Sequence, residues 1–481
     1  MNDLSFATIQ ELLQGLERKE YSRAELLKFF MQRFADHDEK IKSALEIFDE
    51  DSILQKSKNA GILNAIPGII KDNICQQDRI TSCASKILAN YRSTYDATAI
   101  DRLKEQGALL IGRANLDEFA MGSSTETSAF FKTKNPWNVN CVPGGSSGGS
   151  IAAVAAGLVP WALGSETGGS VRHPAAFCGV VGLKPTYGAV SRYGLIAYAS
   201  SLDQIGVATR TVYDNALVFS AIAGHDPKDA SSRIDLNQKN YTKLLDGKMP
   251  QGLRIGVVKT AIENEHLDPQ VKASTLEAVR ILKQAGAIIS EIDLSTLDYG
   301  AATYFIISRA EAASNLSRFD GVRYGYRSQD AKNLEQLYTK SRSEGFGTEV
   351  KVRMMIGNYV LSAGYAAKFY NNAQKVQSLI RQDFAKAFSN VDLLLMPSQA
   401  CPAFEIGKFD NDKLQMDLQD YFLCSANLAG VPAISIPCGL SKEQMPLGFQ
   451  LIGPHLSEQL LFQVGHAYQQ LTDWHTKHPT L

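Results

Sequence analysis

The chain lacks an excess of either charge. Its 481 residues include 49 Lys and Arg against 50 Asp and Glu, a formal net charge of -1 at pH 7. A protein that holds nucleic acid by its own electrostatics carries a surplus of Lys and Arg, because these side chains displace the counterions of the phosphates. The balance therefore excludes a basic nucleic-acid binder, and it also argues against a protein held on an anionic membrane surface.

Membrane-spanning and secretory segments are missing as well. The most apolar window, residues 151–163, is shorter than the roughly 20 residues that a spanning helix needs, and Pro160 interrupts it. The N-terminal segment MNDLSFATIQELL has neither the basic start nor the apolar stretch of a signal peptide. We therefore expect a cytoplasmic protein that makes no membrane contact.

Metal-binding patterns are also absent. The seven cysteines are an odd number, and they are scattered along the chain with no CxxC pair. Of the eight histidines, only His475 and His478 lie close together. We expect reduced, buried thiols and no metal site.

What is present is the composition of a folded globular protein, with 44% hydrophobic and 21% charged residues. Helix and strand signals alternate, and the helix patterns that end at Gly107 and Gly286 are each followed by a short apolar run. Residues 391–396, 433–436 and 447–452 also have the length of buried strands. These patterns predict an α/β fold in which one mostly buried sheet is covered by helices on both faces.

The first 45 residues contain two capping boxes. Thr8 is followed by Glu11 and Ser22 by Glu25, and each pair leads into apolar residues at helical spacing. Residues 1–45 are therefore predicted to form a helical N-terminal arm.

The polar stretch 225–252 is the best linker candidate. Length alone suggests three domains at about 150 residues each, but helix and strand signals resume on both sides of this stretch. We interpret it as a surface excursion within one large domain of residues 1–481. The alternative is a boundary between domains.

A segment dense in glycine and serine, PGGSSGGS, occupies residues 143–150 and opens into the run IAAVAAGLV. A flexible linker would not lead straight into an alanine-rich helix. A phosphate cradle would need the Gly-Lys-Ser/Thr ending of a P-loop, which is missing. The spacing of Gly144, Ser146 and Gly148 also fits the nucleophile elbow of α/β-hydrolases, which would require an essential histidine elsewhere.

A second such segment, GSETGGSVR, occupies residues 164–172. The backbone N–H groups of Thr167, Gly168 and Gly169 can point together at a developing negative charge beside the Ser170 hydroxyl, as an oxyanion hole requires. Upstream, Lys71 ends an apolar run, and a lysine kept from water can lose its proton near neutral pH and act as a base for a serine. The plainer alternatives are a glycine-rich turn and a solvated surface lysine.

These three segments, in this order, resemble the amidase signature family. The resemblance implies the amidase signature fold, a single large mixed sheet with helices on both faces. It also implies that Ser170 is the acyl-accepting nucleophile, that Ser146 relays the proton and that Lys71 is the final base. In the family, a cis peptide bond joins Gly145 to Ser146.

Longer segments along nearly the whole chain are similar to one branch of this family, the glutamine-hydrolysing A subunits of tRNA-dependent amidotransferases. They are KDNICQQDRITSCASKIL with YDAT, LDEFAMGSSTE, RFDGVRYGYR, SEGFGTEVKVR and NLAGVPAISIPCG. The branch implies two partners. A B subunit uses ATP and Mg²⁺ to activate glutamate, or also aspartate, mischarged on tRNA, and a small C subunit braces the pair. This chain would need no cofactor, and it would leave the mischarged tRNA mainly to the partner.

The same resemblance implies how glutamine is bound. Arg353 would clamp its α-carboxylate, Asp420 would take its α-ammonium group, and Tyr304 would line the pocket. Three residues depart from the pattern of the branch, where aspartate, glutamine and arginine are usual: Glu166, His173 and Val352.

Two further functions stay open at this point. A stand-alone amidase that acts on amides or esters shares the serine–lysine core, and only the longer segments favour the amidotransferase component over it. A non-catalytic scaffold would need degenerate residues at the three triad positions, and these positions are intact.

Overall fold

The computed structural model describes residues 3–236 and 239–481. Eleven strands occur in this part of the chain: β1 (Ala44–Ile47), β2 (Pro67–Lys71), β3 (Leu109–Ala114), β4 (Trp161–Glu166), β5 (Val181–Lys184), β6 (Gln204–Thr209), β7 (Arg254–Val258), β8 (Ile288–Ile292), β9 (Leu393–Pro397), β10 (Ala433–Leu440) and β11 (Pro446–Ile452). All of them belong to one mixed sheet with the order β1-β3-β2-β4-β6-β5-β10-β11-β9-β7-β8. The predicted single mixed sheet is confirmed.

Sixteen α-helices accompany the strands in the same residues: α1 (Ile9–Glu17), α2 (Arg23–Ile41), α3 (Glu50–Gln55), α4 (Thr98–Glu105), α5 (Gly148–Ala155), α6 (Arg172–Cys178), α7 (Val212–Ile222), α8 (Lys259–Ile262), α9 (Pro269–Gln284), α10 (Gly300–Asn315), α11 (Leu334–Gly345), α12 (Thr348–Leu361), α13 (Tyr370–Asn390), α14 (Lys413–Asp417), α15 (Cys424–Ala429) and α16 (Glu458–Leu471). None of the helices in the described ranges combines the length and apolar character needed to cross a membrane.

Neighbouring residues of the central strands enter different apolar cores. Ile69 and Ala162 belong to the core that includes α5 and α6, whereas Ile70 and Leu163 belong to the core that includes α4, α7 and α16. Successive side chains of a strand point to opposite faces, so both faces of the sheet are covered. Because β2 and β4 are buried at every residue, the sequence shows continuous apolar runs there instead of alternation.

A third apolar core lies under a layer of helices formed by α10, α12 and α13. It includes Ile307, Met354 and Ile380 from these helices, together with Leu394 and Met396 of β9. Helix α10 packs against both α12 and α13. Two residues predicted to bind the substrate lie in this layer, Tyr304 on α10 and Arg353 on α12.

The N-terminal helices begin at the predicted caps. Thr8 and Ser22 each accept a hydrogen bond from the backbone three residues on, and both capping boxes are complete. Apolar residues of α1 and α2, among them Leu12 and Phe30, enter the same core as Ile70. The predicted helical arm is therefore packed on the body of the protein.

The predicted helix ends at two glycines are also confirmed. Helices α4 and α9 stop just before Gly107 and Gly286, whose φ angles of 78° and 104° lie in the left-handed region. Glycine adopts this conformation at a helix C-terminus without the steric cost that a Cβ imposes.

The described residues of the segment 225–252 form no helix or strand. Positions 237 and 238 lie outside the described residues. The segment is nevertheless fastened to the body. Asp226 Oδ2 accepts hydrogen bonds from Thr98 Oγ1 at 2.5 Å and Ser191 Oγ at 2.6 Å, and buried Tyr241 packs against Phe219. Its interpretation as a surface excursion within one domain of residues 1–481 stays a prediction.

Candidate active site

Two parallel strands bring distant segments of the chain together. Lys71 is the last residue of β2 and Glu166 is the last residue of β4, and these strands pair in parallel, with Ile70 opposite Leu163. The carboxyl ends of parallel strands meet at the same edge of a sheet. Lys71 therefore lies beside the start of the loop that carries Ser170.

Lys71 is fully buried, and its Nζ contacts three oxygen atoms. These are Ser146 Oγ at 2.8 Å, Ser147 Oγ at 2.8 Å and the Ser165 carbonyl oxygen at 3.1 Å. The carbonyl can only accept. The Ser147 hydroxyl donates its own proton to the same carbonyl at 3.0 Å, so it accepts from Lys71.

This pattern decides what a neutral Lys71 amine can do. A neutral amine has two N–H groups, and the Ser165 carbonyl and the Ser147 hydroxyl take both of them. Its lone pair is then directed at the remaining contact, so the Ser146 hydroxyl donates its proton to Lys71 Nζ. This geometry is compatible with the predicted relay, in which a proton passes from Ser146 to Lys71.

The electrostatics of the site favour this neutral form. Burial lowers the pKa of Lys71 from the usual 10.5 to about 7, although the carboxylates of Asp117 and Asp203 act in the opposite direction. At a pH near 7 a substantial fraction of the amine is therefore unprotonated, as the predicted role of Lys71 as a base requires.

The peptide bond between Gly145 and Ser146 is cis, as the resemblance implies. Asp117 supports this turn, because its backbone N–H donates to the Ser146 carbonyl at 3.2 Å. The Asp117 carboxylate accepts hydrogen bonds from Thr125 N at 2.8 Å and Thr127 Oγ1 at 2.9 Å. Sequence reasoning did not single out this buried carboxylate.

Ser170 lies in the short loop between β4 and α6, with 4% of its surface exposed. Its carbonyl oxygen accepts a hydrogen bond from Ser147 N at 3.1 Å. Ser147 therefore contacts Ser170 through its backbone N–H, and it contacts Lys71 through its side-chain hydroxyl. The role of Ser170 as nucleophile, and the relay from its hydroxyl to Ser146, stay predictions.

The two predicted oxyanion-hole glycines lie against predicted substrate residues. A Cβ on Gly168 would lie 2.5 Å from the Tyr304 ring, and one on Gly169 would lie 2.6 Å from Asp420 Oδ1. Either distance is too short for a real carbon contact, so only glycine fits at these positions. Tyr304 and Asp420 thus contact the loop that contains Thr167, Gly168 and Gly169. The role of these three residues as an oxyanion hole stays a prediction.

Asp420 offers an oxygen without a partner. Its Oδ2 accepts a hydrogen bond from Ser123 Oγ at 2.8 Å, whereas its buried Oδ1 has no hydrogen-bond partner among the described residues. Burial raises the pKa of this carboxyl to about 7, and the Ser123 hydroxyl opposes the rise. A ligand cation at Oδ1 would restore the ionised form, which is what the predicted α-ammonium contact requires.

Arg353 points inward from α12 and is 5% exposed. Its Nε donates to Glu349 at 2.8 Å and its Nη1 donates to the Tyr198 hydroxyl oxygen at 3.0 Å. Its Nη2 lies 3.7 Å from Asp417 Oδ1, too far for a strong hydrogen bond. That side of the guanidinium therefore faces a carboxylate without a short hydrogen bond, and the clamping of the α-carboxylate by Arg353 stays a prediction.

Tyr198 and Asp203 connect Arg353 to the loop that contains Thr167. The Tyr198 backbone N–H donates to Asp203 Oδ2 at 2.9 Å, while the Thr167 hydroxyl donates to Asp203 Oδ1 at 2.7 Å. Burial raises the pKa of Asp203 to about 6, and the Thr167 hydroxyl opposes the rise. Neither Tyr198 nor Asp203 lies in a motif that the sequence analysis used, so no signal pointed to them.

The departure at Glu166 has a structural role. Its Oε1 accepts from Arg172 Nε at 2.9 Å, and its Oε2 accepts from the backbone N–H groups of Val171 at 3.1 Å and Arg172 at 3.0 Å. Both side chains are fully buried. The pair thus fixes the backbone directly after Ser170.

The other two departures differ in position, because the His173 backbone N–H donates to the Gly169 carbonyl oxygen at 2.8 Å, directly before Ser170, whereas Val352 faces outward. The buried ring of His173 packs 4.1 Å from that of Phe177, and burial lowers its pKa to about 4, so it is neutral at pH 7. Val352 lies on the outer side of α12 and is 44% exposed.

The α/β-hydrolase alternative is wrong. In the described ranges, no strand leads directly into the Ser146 turn, and no histidine ring hydrogen-bonds to Ser146, Ser147 or Ser170. Nor do His, Cys, Asp and Glu side chains in this part of the chain form a group of three or more that could hold a metal ion.

The sequence matches the Amidase family model over residues 25–462. It is 50% identical to the A subunit of glutamyl-tRNA(Gln) amidotransferase from Sulfurihydrogenibium sp. (strain YO3AOP1), over 98% of each chain. It is also 50% identical to the A subunit of the same enzyme from Halalkalibacterium halodurans, over 98% of this chain and 99% of that one.

Solved structures show the same fold. The crystal structure of the A subunit of glutamyl-tRNA(Gln) amidotransferase from Thermotoga maritima has a TM-score of 0.83 and 40% identity, and it covers 98% of this chain and 96% of that chain. The structure of 6-aminohexanoate cyclic dimer hydrolase has a TM-score of 0.85 at 26% identity, over 99% of both chains.

Proposed function

Because this chain belongs to the amidase family, we propose that it is the glutamine-hydrolysing subunit of a tRNA-dependent amidotransferase. Two features support this choice over a stand-alone amidase. The relatives at 50% identity that span nearly the whole chain are amidotransferase A subunits. Asp420, a buried carboxylate, also lies against Gly169 beside Ser170, and Arg353 is a buried cation of the same region. Two opposite charges suit a free amino acid.

One observation carries the catalytic part of the proposal. Lys71 Nζ lies 2.8 Å from Ser146 Oγ in a fully buried site. In the neutral amine, the two N–H groups would donate to the Ser147 hydroxyl and the Ser165 carbonyl. This geometry supports the proposed role of Lys71 as the base that receives a proton from Ser146.

The reaction begins with glutamine bound through its α-carboxylate at Arg353 and its α-ammonium group at Asp420. Tyr304 lines the pocket. The Ser170 oxygen then attacks the side-chain carbonyl carbon, its proton passes to Ser146 Oγ, and the Ser146 proton passes to Lys71 Nζ.

The negative charge that develops on the carbonyl oxygen is held by the backbone N–H groups around Thr167, Gly168 and Gly169. The C–N bond breaks, and the amide nitrogen takes a proton back through Ser146 and leaves as ammonia. Water then attacks the glutamyl ester of Ser170 by the same relay and releases glutamate. The net reaction is glutamine plus water to glutamate plus ammonia.

We place the ammonia-consuming step in a multi-subunit complex. In this proposal a B subunit uses ATP and Mg²⁺ to activate the side chain of glutamate mischarged on glutamine tRNA, and a small C subunit braces the two. The mischarged tRNA is held mainly by the B subunit, which agrees with the net charge of -1 on this chain. A reducing, cytoplasmic setting agrees with seven free cysteines.

The test uses the chain co-expressed with the candidate B and C subunits. We expect glutamine-dependent amidation of mischarged tRNA in the presence of ATP. Replacing Ser170 by alanine should abolish glutamine hydrolysis and leave amidation from added ammonium chloride intact. Full glutamine-dependent activity in that variant would refute the nucleophile assignment. Rapid hydrolysis of unrelated amides by the isolated chain, without any effect of the other subunits, would favour the stand-alone amidase.

A further inference from the structure

A second buried arginine, Arg309, lies close to Arg353. Arg309 is on α10 and is 3% exposed, whereas Arg353 is on α12. The two helices approach each other closely at this level, because a Cβ on Gly357 would lie 2.0 Å from the Arg309 carbonyl oxygen. Gly357 is one turn after Arg353 in α12. The two arginines therefore extend from neighbouring turns of two packed helices.

The two guanidinium groups share one carboxylate. Arg309 Nη2 donates to Asp417 Oδ2 at 2.9 Å, and Arg353 Nη2 lies 3.7 Å from Asp417 Oδ1. Asp417 is the last residue of α14, and its side chain is 30% exposed, whereas both arginine side chains are almost completely buried. The carboxylate thus bridges the two buried cations and is the member of the cluster that reaches solvent.

This carboxylate does not satisfy both guanidinium groups. Arg309 Nε has no hydrogen-bond partner among the described residues, and Arg309 Nη1 reaches only the Phe305 carbonyl, at a long 3.4 Å. The contact of Arg353 Nη2 with Asp417 is also too long for a strong hydrogen bond. Buried donors without acceptors cost free energy. A carboxylate that is not tethered to the backbone can lie between the two forks and accept from both.

We infer that Arg309 and Arg353 together form the site for the α-carboxylate of glutamine, and that Asp417 occupies this site until the substrate displaces it. This inference rests on the proposed function, in which Arg353 alone holds the α-carboxylate. Asp420, the proposed partner of the α-ammonium group, is three residues after Asp417. The segment that gives up Arg309 and Arg353 to the substrate therefore also supplies the contact for the other charge of the amino acid.

The displacement gives the two members of the ion pair opposite effects. Glutamine competes with Asp417, so its apparent affinity is lowered by the fraction of molecules in which Asp417 occupies the site. Loss of the Arg309 charge removes an attractive contact, whereas loss of the Asp417 charge removes the competitor. An ion pair that only stabilises the fold would give no such opposition, because removing either member leaves the other buried and unpaired.

The test measures glutamine binding by calorimetry in the complex with the B and C subunits. The chain carries Ser170→Ala, so that glutamine is bound without being hydrolysed. Adding Arg309→Met should weaken the dissociation constant at least about tenfold, since one of the two guanidinium groups is lost. Adding Asp417→Asn should tighten it about threefold or more. Circular dichroism melting checks folding, and the isosteric Asp417→Asn carries the test if Arg309→Met does not fold.

Two control variants remove the same charges nearby. Asp412 is exposed and caps the start of α14 by accepting from Gln415 N at 3.1 Å. Asp412→Asn removes a negative charge from the same helix, while asparagine remains a good cap. Arg318 is exposed just beyond α10 and donates to the Asn315 carbonyl at 2.8 Å. Both Asp412→Asn and Arg318→Met should leave the affinity for glutamine within about twofold.

Each outcome decides part of the inference. Weaker binding in Arg309→Met together with tighter binding in Asp417→Asn supports it. Unchanged binding in Arg309→Met overturns the second guanidinium, and unchanged or weaker binding in Asp417→Asn overturns the displacement. The same changes in the two controls would show an effect of net charge and overturn both. In all these cases the proposed function stands, whereas a Ser170→Ala complex that does not bind glutamine refutes the proposed function itself.

Discussion

Thr167 donates its hydroxyl proton to the buried carboxylate of Asp203 at 2.7 Å. Through this contact the loop proposed to hold the oxyanion is joined to the residues proposed to bind the substrate. Asp203 also accepts from the backbone of Tyr198, whose hydroxyl accepts from Arg353. One carboxylate thus contacts both the proposed oxyanion loop and the residue that holds the proposed substrate clamp.

Replacing Asp203 by asparagine should therefore affect both ends. The asparagine side chain has one acceptor oxygen and one donor NH₂ group, so either the Thr167 hydroxyl or the Tyr198 N–H loses its acceptor. We expect kcat to fall by about tenfold and KM for glutamine to rise several-fold, in the range for one misplaced hydrogen bond. Asp214→Asn is the control, because Asp214 is likewise buried, burial raises its pKa to about 6, and it accepts from the Ile9 backbone N–H at 3.1 Å in the N-terminal helices. Loss of activity without a change in KM would contradict the dual role.

The pH dependence of kcat should report Lys71. Its pKa of about 7 means that the base is neutral above this pH and protonated below it. We therefore expect kcat to rise about tenfold per pH unit on the acid side and to level off above pH 7. In the proposed enzyme–substrate complex Asp420 would be paired with the α-ammonium group, so we expect its own titration in kcat/KM instead.

A matched control exists for this profile. Lys184 is also fully buried, and burial lowers its pKa to about 7, but its Nζ donates to the Pro185 carbonyl at 2.7 Å, outside the triad. Lys184→Met should keep the acid limb of the profile, whereas Lys71→Met should leave no measurable glutamine hydrolysis. An unaltered profile and rate in Lys71→Met would refute the lysine base.

Ser147 should orient the base without touching the substrate. Replacing it by alanine removes the acceptor for one Lys71 N–H, so the lone pair of the amine is no longer fixed toward Ser146. We expect kcat to fall by about 10- to 100-fold with little change in KM. Ser150→Ala is the comparison, because this buried serine bonds to the Leu163 carbonyl at 2.9 Å in the same turn and helix. Equal effects in both variants would point to simple loss of packing.

Tyr198→Phe should act mainly on binding. It removes the hydroxyl that fixes Arg353, so we expect KM for glutamine to rise about tenfold with kcat nearly unchanged. The control is Tyr21→Phe, which removes a buried hydroxyl that bonds to the Leu12 carbonyl in the N-terminal helices. A drop in kcat alone would place Tyr198 in catalysis instead of binding.

Much of the architecture followed from short-range rules. The capping boxes at Thr8 and Ser22, and the helix ends at Gly107 and Gly286, depend on backbone hydrogen bonds and φ angles within a few residues. The strands were visible as short apolar runs because both faces of the sheet are covered. The order of the strands was not visible, because pairing depends on packing between segments far apart in the chain.

The sequence by itself determined which residues are chemically capable of the reaction. Lys71, Ser146 and Ser170 were identified by residue type, glycine context and resemblance, all of which are local. Only the tertiary structure decided what each group does to its neighbours. Burial lowers the pKa of Lys71, and Ser147 with the Ser165 carbonyl directs the lone pair of its neutral amine at Ser146. Desolvation and hydrogen-bond direction arise only when β2, β4 and the Gly145–Ser146 turn meet, so no single segment contains them.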